Sequence, residues 1–387
     1  MHTDESRTYL FIIWEKSRSQ ADRIIDDLRG RFVIRDCYEI KWSKENFLAN
    51  LKRFYGQSLP DARQKAELCG TGPFLLIIVS DPRPTFVKTK ITFERDLVNA
   101  NIHDSKVRYR KWIGKDFTVH SSVSENETDH NMTLLFGKNR HDFEKELPER
   151  WTGSIKKLES DLVGQNGWKD MRQLLYVLNG TANYVILRNF EGMPDKFNYR
   201  DVDLLADDEK LAYIVNSDFS ANNGNSRSFE ASVGAIQVVF NPNYWGDHYY
   251  DIKWERDILR RRLLHPNGFY VPCKEDHFYT LLYHVIFHKG VIADKYKKML
   301  YELAMQIGMN DITQNTFDDF KKSKTILEKY MAKMSYRNSS TVQYKITHNE
   351  LMRLLKASIS ITKNQGVLVL LVAIKDKIIV TISRRKK

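Results

Sequence analysis

Along residues 8–140 the hydrophobic positions alternate between short apolar runs that signal strands and amphipathic stretches that signal helices. Tyr9 to Trp14 reads as a buried strand, and Ser19 to Arg29 as an amphipathic helix with Ile24, Ile25 and Leu28 on one side. Phe32 to Trp42 follows as a second strand and Lys44 to Tyr55 as a second helix. Gly72-Pro73 then opens Phe74 to Val79, a continuous apolar run of the kind found in a central strand. A β-α-β-α-β order with short links predicts an α+β fold of the ferredoxin-like type.

The pattern changes further along. Residues 141–170 are charged and contain Pro148, Gly153, Gly164 and Gly167, which places a domain boundary there. Leu174 to Asn179 reads as a helix leading into two short apolar strands, one from Tyr184 and one from Asp201, with a polar loop between them. Ile236 to Phe240 is another short strand. From Pro272 the period is helical: Glu275 to Lys289 is strongly amphipathic, and helices recur near 293–307 and 315–335. The expected organisation is a domain over 1–145, a second core over 170–270, a helical subdomain over 271–336 and a basic C-terminal extension over 337–387. Within that extension, Ile361 to Ser383 reads as β-like runs, either a terminal hairpin or a disordered tail. There are no internal repeats.

Composition narrows the class. At 387 residues, with 42% hydrophobic content, the chain suits two or three globular domains. Its 61 Lys and Arg against 49 Asp and Glu leave a net charge of +12, which favours anionic partners without choosing among nucleotides, nucleic acid and lipid head groups. Cys37, Cys69 and Cys273 lie far apart with no metal-binding spacing and read as reduced thiols. The N-terminal Met-His-Thr-Asp-Glu lacks the basic region and apolar run of a secretion signal. The apolar run Val367 to Ile374 falls well short of the roughly twenty residues of a membrane helix. A cytoplasmic protein without a transmembrane segment is expected.

The most informative chemistry is Asp201-Val-Asp203. On a strand, residues i and i+2 share a face, so both carboxylates point into one small space. They repel unless a cation sits between them, and hard oxygen ligands suit Mg²⁺ holding a nucleotide's phosphates. Asp207, Asp208 and Glu209 follow closely, as they would in a solvent-facing acidic turn, but Leu204-Leu205 argues for a strand.

Two resemblances sharpen this picture. The N-terminal order, Gly72-Pro73 and the segment Phe117-Thr-Val-His120-Ser-Ser122-Val-Ser-Glu-Asn-Glu together resemble the nucleoside diphosphate kinase family, which has a ferredoxin-like fold. The resemblance implies a phospho-accepting His120 supported by the Ser122 hydroxyl, with Lys16 and either Arg108 or Arg110 gripping phosphate. It also implies an acidic residue orienting the histidine near Asn131, with Asp129 close by. Phe117 stands where the family has Asn, and Glu15-Lys16-Ser17 where it has Lys-Pro-Asp. A second reading of this domain keeps the fold for nucleotide binding or oligomer contacts, with kinase turnover lost.

Residues 184–300 resemble the nucleotidyltransferase superfamily, in particular its bacterial branches. The pieces occur in order: Asp201-Val-Asp203, then Pro272-Cys-Lys-Glu275-Asp276, then His284-Val-Ile-Phe-His288-Lys289. The resemblance implies a Mg²⁺ held by Asp201, Asp203 and a third group on the strand near 236–241. Asn241 stands at that third position, with Asp247 and Asp251 a little beyond. Where the family has Gly-Ser, this chain has Arg188-Asn189, a guanidinium and an amide suited to phosphate. His284 and His288 have a spacing that can bind zinc, but no third ligand is obvious and Tyr283 and Phe287 look like core. Lys289 is better placed to touch an anion. The aromatic cluster Tyr244-Trp245, Tyr249-Tyr250 and Trp254 reads equally as a stacking platform or as core.

The expectation is a Mg²⁺-dependent transferase of a phosphorus-containing group. It would move a nucleotidyl or phospho-alditol group from a nucleotide-activated donor to a glycan or alditol acceptor, as in bacterial surface-polysaccharide assembly. The alternative is a non-catalytic nucleotide or nucleic-acid binder with degenerate sites. Either is compatible with a homo-oligomer.

Overall fold

The computed structural model describes residues 7–56, 59, 61–88, 97–195, 201–207, 210–216 and 228–337. The extension expected from 337 onward lies, from Asn338 on, outside these residues. The first half runs β1 (Arg7–Ile13), a 3-10 turn (Glu15–Gln20), α1 (Ala21–Arg31), β2 (Val33–Lys41), α2 (Phe47–Tyr55), α3 (Ala62–Cys69), β3 (Phe74–Asp81), β4 (Phe86–Lys88), β5 (Leu97–Asn99), α4 (Ala100–Ile113), β6 (Val119–Ser121), α5 (Glu125–Phe136), α6 (Arg140–Glu144) and β7 (Lys156–Glu159). Then follow α7 (Met171–Thr181), β8 (Tyr184–Ile186), β9 (Asp201–Ala206), α8 (Lys210–Val215), β10 (Phe229–Val233), β11 (Ile236–Tyr244), α9 (Ile252–Arg261), β12 (Leu263–Leu264) and β13 (Tyr270–Val271). Helices close the described chain: α10 (Lys274–Tyr283), a π-helical stretch (His284–Lys289), α11 (Asp294–Gln306), a 3-10 turn (Gln314–Asp318) and α12 (Phe320–Met334).

Among the described residues the strands form two main sheets, ordered β6-β1-β3-β2-β7 and β10-β11-β9-β8, and two hairpins, β12-β13 and β4-β5. The molecule is therefore a mixed α+β protein. In the first sheet every pairing is antiparallel except that of β2 with β7. The period-two alternation of β1 decides what each face meets. Tyr9, Phe11 and Ile13 join Leu75, Ile77 and Val79 under α1 and α4, where Ile24, Ile25, Leu28, Ile102 and Tyr109 fill the layer. Leu10, Ile12, Leu76 and Ile78 point the other way, into a second apolar layer.

That second layer also receives Tyr184, Ile186, Val202, Leu204 and Phe240 from the second sheet, with Met132 of α5 and Leu174, Val177 and Leu178 of α7. The two sheets thus share one core, and residues up to Arg337 form a single compact unit. The charged stretch 141–170 carries α6 and β7, and its Leu162 and Trp168 are buried in the shared layer. The Asp161 carboxylate, in the same stretch, accepts from Ser43, Asn46 and Asn50. The opposite face of the second sheet, through Val185, Leu187 and Leu205, packs on Trp254, Ile258, Phe278 and Leu282 of the helical layer. Among the described residues no helix is long and apolar enough to cross a membrane. All three cysteines are free.

Candidate functional site

The parity that sends Leu205 toward the helical layer sends Asp201 and Asp203 the same way. β9 and β11 run parallel with Asp203 opposite Asn241, so these two side chains stand next to each other on that face. Asp201 sits at the exposed rim, and Asp203 is half-buried. Leu187 still donates its backbone N–H to Asp203 O at 2.9 Å, and the chain then reverses at Asn189, whose φ of 61° suits an Asn. Arg188, held at this turn, directs its Nε to Asp203 Oδ2 at 2.9 Å, with side-chain exposures of only 9% and 16%. Burial works against the Arg188 charge, but Tyr250, Asp203 and Tyr249 outweigh it and its pKa is raised.

Tyr249 continues the network. It hydrogen-bonds Arg188, its hydroxyl lies 3.2 Å from His284 Nδ1, and its ring stacks on His288 at 4.2 Å. The two histidines lie on the π-helical stretch, a backbone form recurrent at functional sites. Burial, then Arg188, His288, Lys289 and Lys295, pushes His284 down to about 3, and burial, Arg188 and Lys289 lower His288 as well. Both rings are neutral at pH 7. Lys289 is exposed at the end of the stretch. The fold therefore gathers Asp201, Asp203, Asn241 and Arg188 from three separate segments, with Lys289 near the histidines.

The aromatic cluster divides. Tyr250 and Trp254 are fully buried core, Tyr249 belongs to the site, and Trp245 stays partly exposed. Asp276 of the Pro-Cys-Lys-Glu-Asp segment is also structural, completely buried and bonded by Arg261 and Trp254. Sequence reasoning missed Glu255. Its carboxylate accepts N–H bonds from Gly246 at 2.7 Å and Tyr250 at 3.1 Å, which fastens the loop bearing Tyr249. The available signal was an acidic residue next to Trp254 and one turn before Ile258 and Leu259, on a helix face that must be buried.

No group of three or more His, Cys, Asp or Glu among the described residues is arranged to hold a metal ion. Mg²⁺ commonly takes only one or two carboxylates and completes its shell with water and substrate phosphates. Asp201 and Asp203 fit an ion arriving in that way. They do not form a closed cage, because Arg188 already neutralises Asp203 and the Asn241 Oδ1 accepts from Ser228 Oγ at 2.6 Å.

In the first half, His120 lies in β6 opposite Ile12, its ring edge-on to Phe54 and Tyr55. Asn131 Nδ2 is 3.0 Å from its Nε2, and Glu127 supplies a carboxylate at 3.8 Å. Glu127, rather than Asp129, is the acid beside the ring; Asp129 is engaged by Arg140. Burial, followed by Lys106, Lys65, Arg110 and His130, holds the His120 pKa well below the usual range, so the ring is neutral. Arg110 donates twice to Val119 O, at 3.0 and 2.9 Å, while Arg108 turns to Asp27 on α1. Ser122 is completely buried, and its Oγ accepts from Leu10 N and Thr128 Oγ1, so it fastens β6 to β1 instead of facing a ligand. Lys16 donates to Glu67 O at the surface. Glu15 accepts the backbone N–H of Gly72 at 2.7 Å, so a Cβ at that glycine would require the Glu15 carboxylate to move. A cavity of about 390 Å³ lined by Leu48, Lys52, Asp61, Ala62 and Arg63 includes none of these groups.

The chain matches no protein-family model and no curated protein.

Proposed function

We infer that this protein is a Mg²⁺-dependent transferase of a phosphorus-containing group, taking a nucleotide-activated donor at the end of β9 that carries Asp201 and Asp203. The observation that carries the reading is the convergence of Asp203, Arg188 and Asn241 with the Tyr249–His284–His288 group on one face of one sheet. A parallel pair of strands that sets Asp203 beside Asn241 supports a nucleotidyltransferase-like core, with an amide at the third position. The β6-β1-β3-β2 order, with β3 between the strands that α1 connects, is the order expected of a ferredoxin-like, nucleoside diphosphate kinase-like domain.

In this reading Arg188 grips donor phosphate, and Asn189 and Lys289 flank it. Bound Mg²⁺ would supply charge neutralisation at the phosphates, held by Asp201 and Asp203 with Asn241 beside them. The neutral His284 and His288, joined to Arg188 through Tyr249, would stand beside the acceptor hydroxyl of a glycan or alditol. A second reading, a nucleotide binder without turnover, is favoured by one feature: an amide, Asn241, occupies the place of the third carboxylate that would activate the attacking hydroxyl.

Thermal shift with nucleotides and nucleotide sugars, with and without Mg²⁺, tests the reading. One ligand at about 100-fold excess over its Kd should raise Tm by roughly 5 °C in the presence of Mg²⁺. In Asp203→Ala, folded by circular dichroism, the Mg²⁺-dependent part of that rise should vanish. Equal shifts in both proteins would overturn the site. Ligand binding without product formation would select the second reading.

A further inference from the structure

The Arg188–Asp203 pair has a chemical consequence for the order in which ligands can enter. Both side chains are largely withdrawn from water, and their 2.9 Å contact is part of what compensates for burying two charges. Separating them with nothing to take their place is costly at both ends. A lone divalent cation approaching Asp203 meets the guanidinium. Among the described residues it then finds the exposed Asp201 as the remaining carboxylate on this face, because the Asn241 oxygen already takes the Ser228 hydroxyl. A lone polyphosphate approaching Arg188 meets the Asp203 carboxylate, a like charge. When the two arrive together, phosphate oxygens take the guanidinium while the metal takes the carboxylate, and one ion pair is exchanged for two.

We propose that Arg188 is a specificity-determining residue that makes this site admit a divalent cation and a nucleotide only as their complex, by standing in for the metal on Asp203 until phosphate draws it away. The inference rests on the nucleotide reading of this site. Tyr249 and Tyr250 lie beside the guanidinium, so Arg188 needs to turn only between two acceptors. Arginine suits this exchange better than lysine because its planar fork can face a carboxylate or a phosphate with the same donors. Coupling of this kind is reciprocal: whatever factor the metal adds to nucleotide affinity, the nucleotide adds to metal affinity.

The full chain is titrated with Mn²⁺ alone, followed by the resonance of free Mn²⁺. It is then titrated with ATP, CTP, GTP and UTP, each with EDTA and each with Mg²⁺, by calorimetry. The wild type should bind Mn²⁺ alone at least about ten-fold more weakly than Arg188→Gln, in which Asp203 is released. Asp203→Asn, which releases the arginine, should bind the metal-free form of the preferred triphosphate about ten-fold more tightly than the wild type and lose its response to Mg²⁺. The two variants relieve opposite ends of the pair, so a folding defect in one leaves the other decisive. Equal Mn²⁺ affinity in wild type and Arg188→Gln, or no gain for metal-free triphosphate in Asp203→Asn, overturns the proposal while the nucleotide reading stands. If no triphosphate binds the folded wild type in either condition, the nucleotide reading itself falls and takes the proposal with it.

Discussion

Single residues carry the sharpest tests. His120 is neutral, and cationic Lys65, Lys106 and Arg110 lie close enough to depress its pKa, an arrangement suited to drawing a phosphate toward an imidazole nucleophile. If it accepts phosphate, γ-labelled ATP should leave a base-stable, acid-labile label on the wild type and none on His120→Ala; equal labelling rules the role out. Glu255 gives a pH dependence. Burial, with Asp247 and Asp251 adding to it, outweighs the two backbone N–H bonds and pushes its carboxyl from 4.5 up to about 8. The folded state therefore retains a proton that the unfolded chain releases, so this group's stabilisation is complete below pH 4.5 and is lost as pH rises through 8. Tm should fall by about several degrees between pH 5 and pH 8, and Glu255→Gln should flatten that slope. At this scale the sequence showed that Asp201 and Asp203 share a face, because strand parity is local. It could not show that Arg188 lies on Asp203, that Glu127 rather than Asp129 stands beside His120, or that Ser122 is sealed inside. Those contacts depend on where distant segments meet.

Elements were legible where their pattern is local. The continuous apolar runs of β1 and β3, the amphipathic α1 and the helices after Pro272 were legible within a few residues at their ends, but Asp276 to Ile286 is buried on every side rather than amphipathic. Not legible were the parallel addition of β7 to β2, more than a hundred residues away in sequence, and the parallel pairing of β9 with β11. Non-local pairing leaves no periodic trace. The π-helical stretch was also hidden, since apolar spacing does not separate one helical hydrogen-bond pattern from another over six residues. The contact of α5 with α7 is open to a direct test. A Cβ on Gly180 would stand 2.5 Å from the Thr133 Oγ1 and 3.3 Å from its Cγ2, and Thr133 is fully buried. Gly180→Ala should lower stability by about 1–2 kcal/mol, since overpacking of about 1–3 kcal/mol outweighs the better helix propensity of alanine. Thr133→Ala in the same chain should recover most of the loss by relieving the clash, as read from denaturant midpoints.

Across the whole molecule the two halves are bound through buried groups that neither owns alone. Arg53 of α2 is completely enclosed and donates to Val163 O at 2.6 Å, Ile214 O at 2.9 Å and Leu162 O at 3.4 Å, with its guanidinium 5.7 Å from the Trp168 ring. Burial lowers its pKa to about 9, and backbone carbonyls take the place of a carboxylate partner. Arg53→Ala would leave those carbonyls unpaired beside a cavity, at a cost of about 3 kcal/mol. Calorimetry should show one cooperative transition moved to lower temperature in the variant; two separated transitions would mean that the sheets unfold independently. Composition indicated a chain long enough for several domains, but length cannot reveal that two sheets use one interior.

That common interior has a corollary for anyone who cuts the gene. A fragment ending near residue 150 would lose the part of this layer that Leu162, Trp168, Leu174, Val177 and Leu178 supply, and its complement the part that Phe54, Met132, Leu134 and Leu135 supply. Each piece would carry a freshly bared oily surface of the kind that drives precipitation. Co-expressed, the two pieces would find in each other the cover each had lost, so a split gene should yield a soluble pair where either fragment alone forms inclusion bodies.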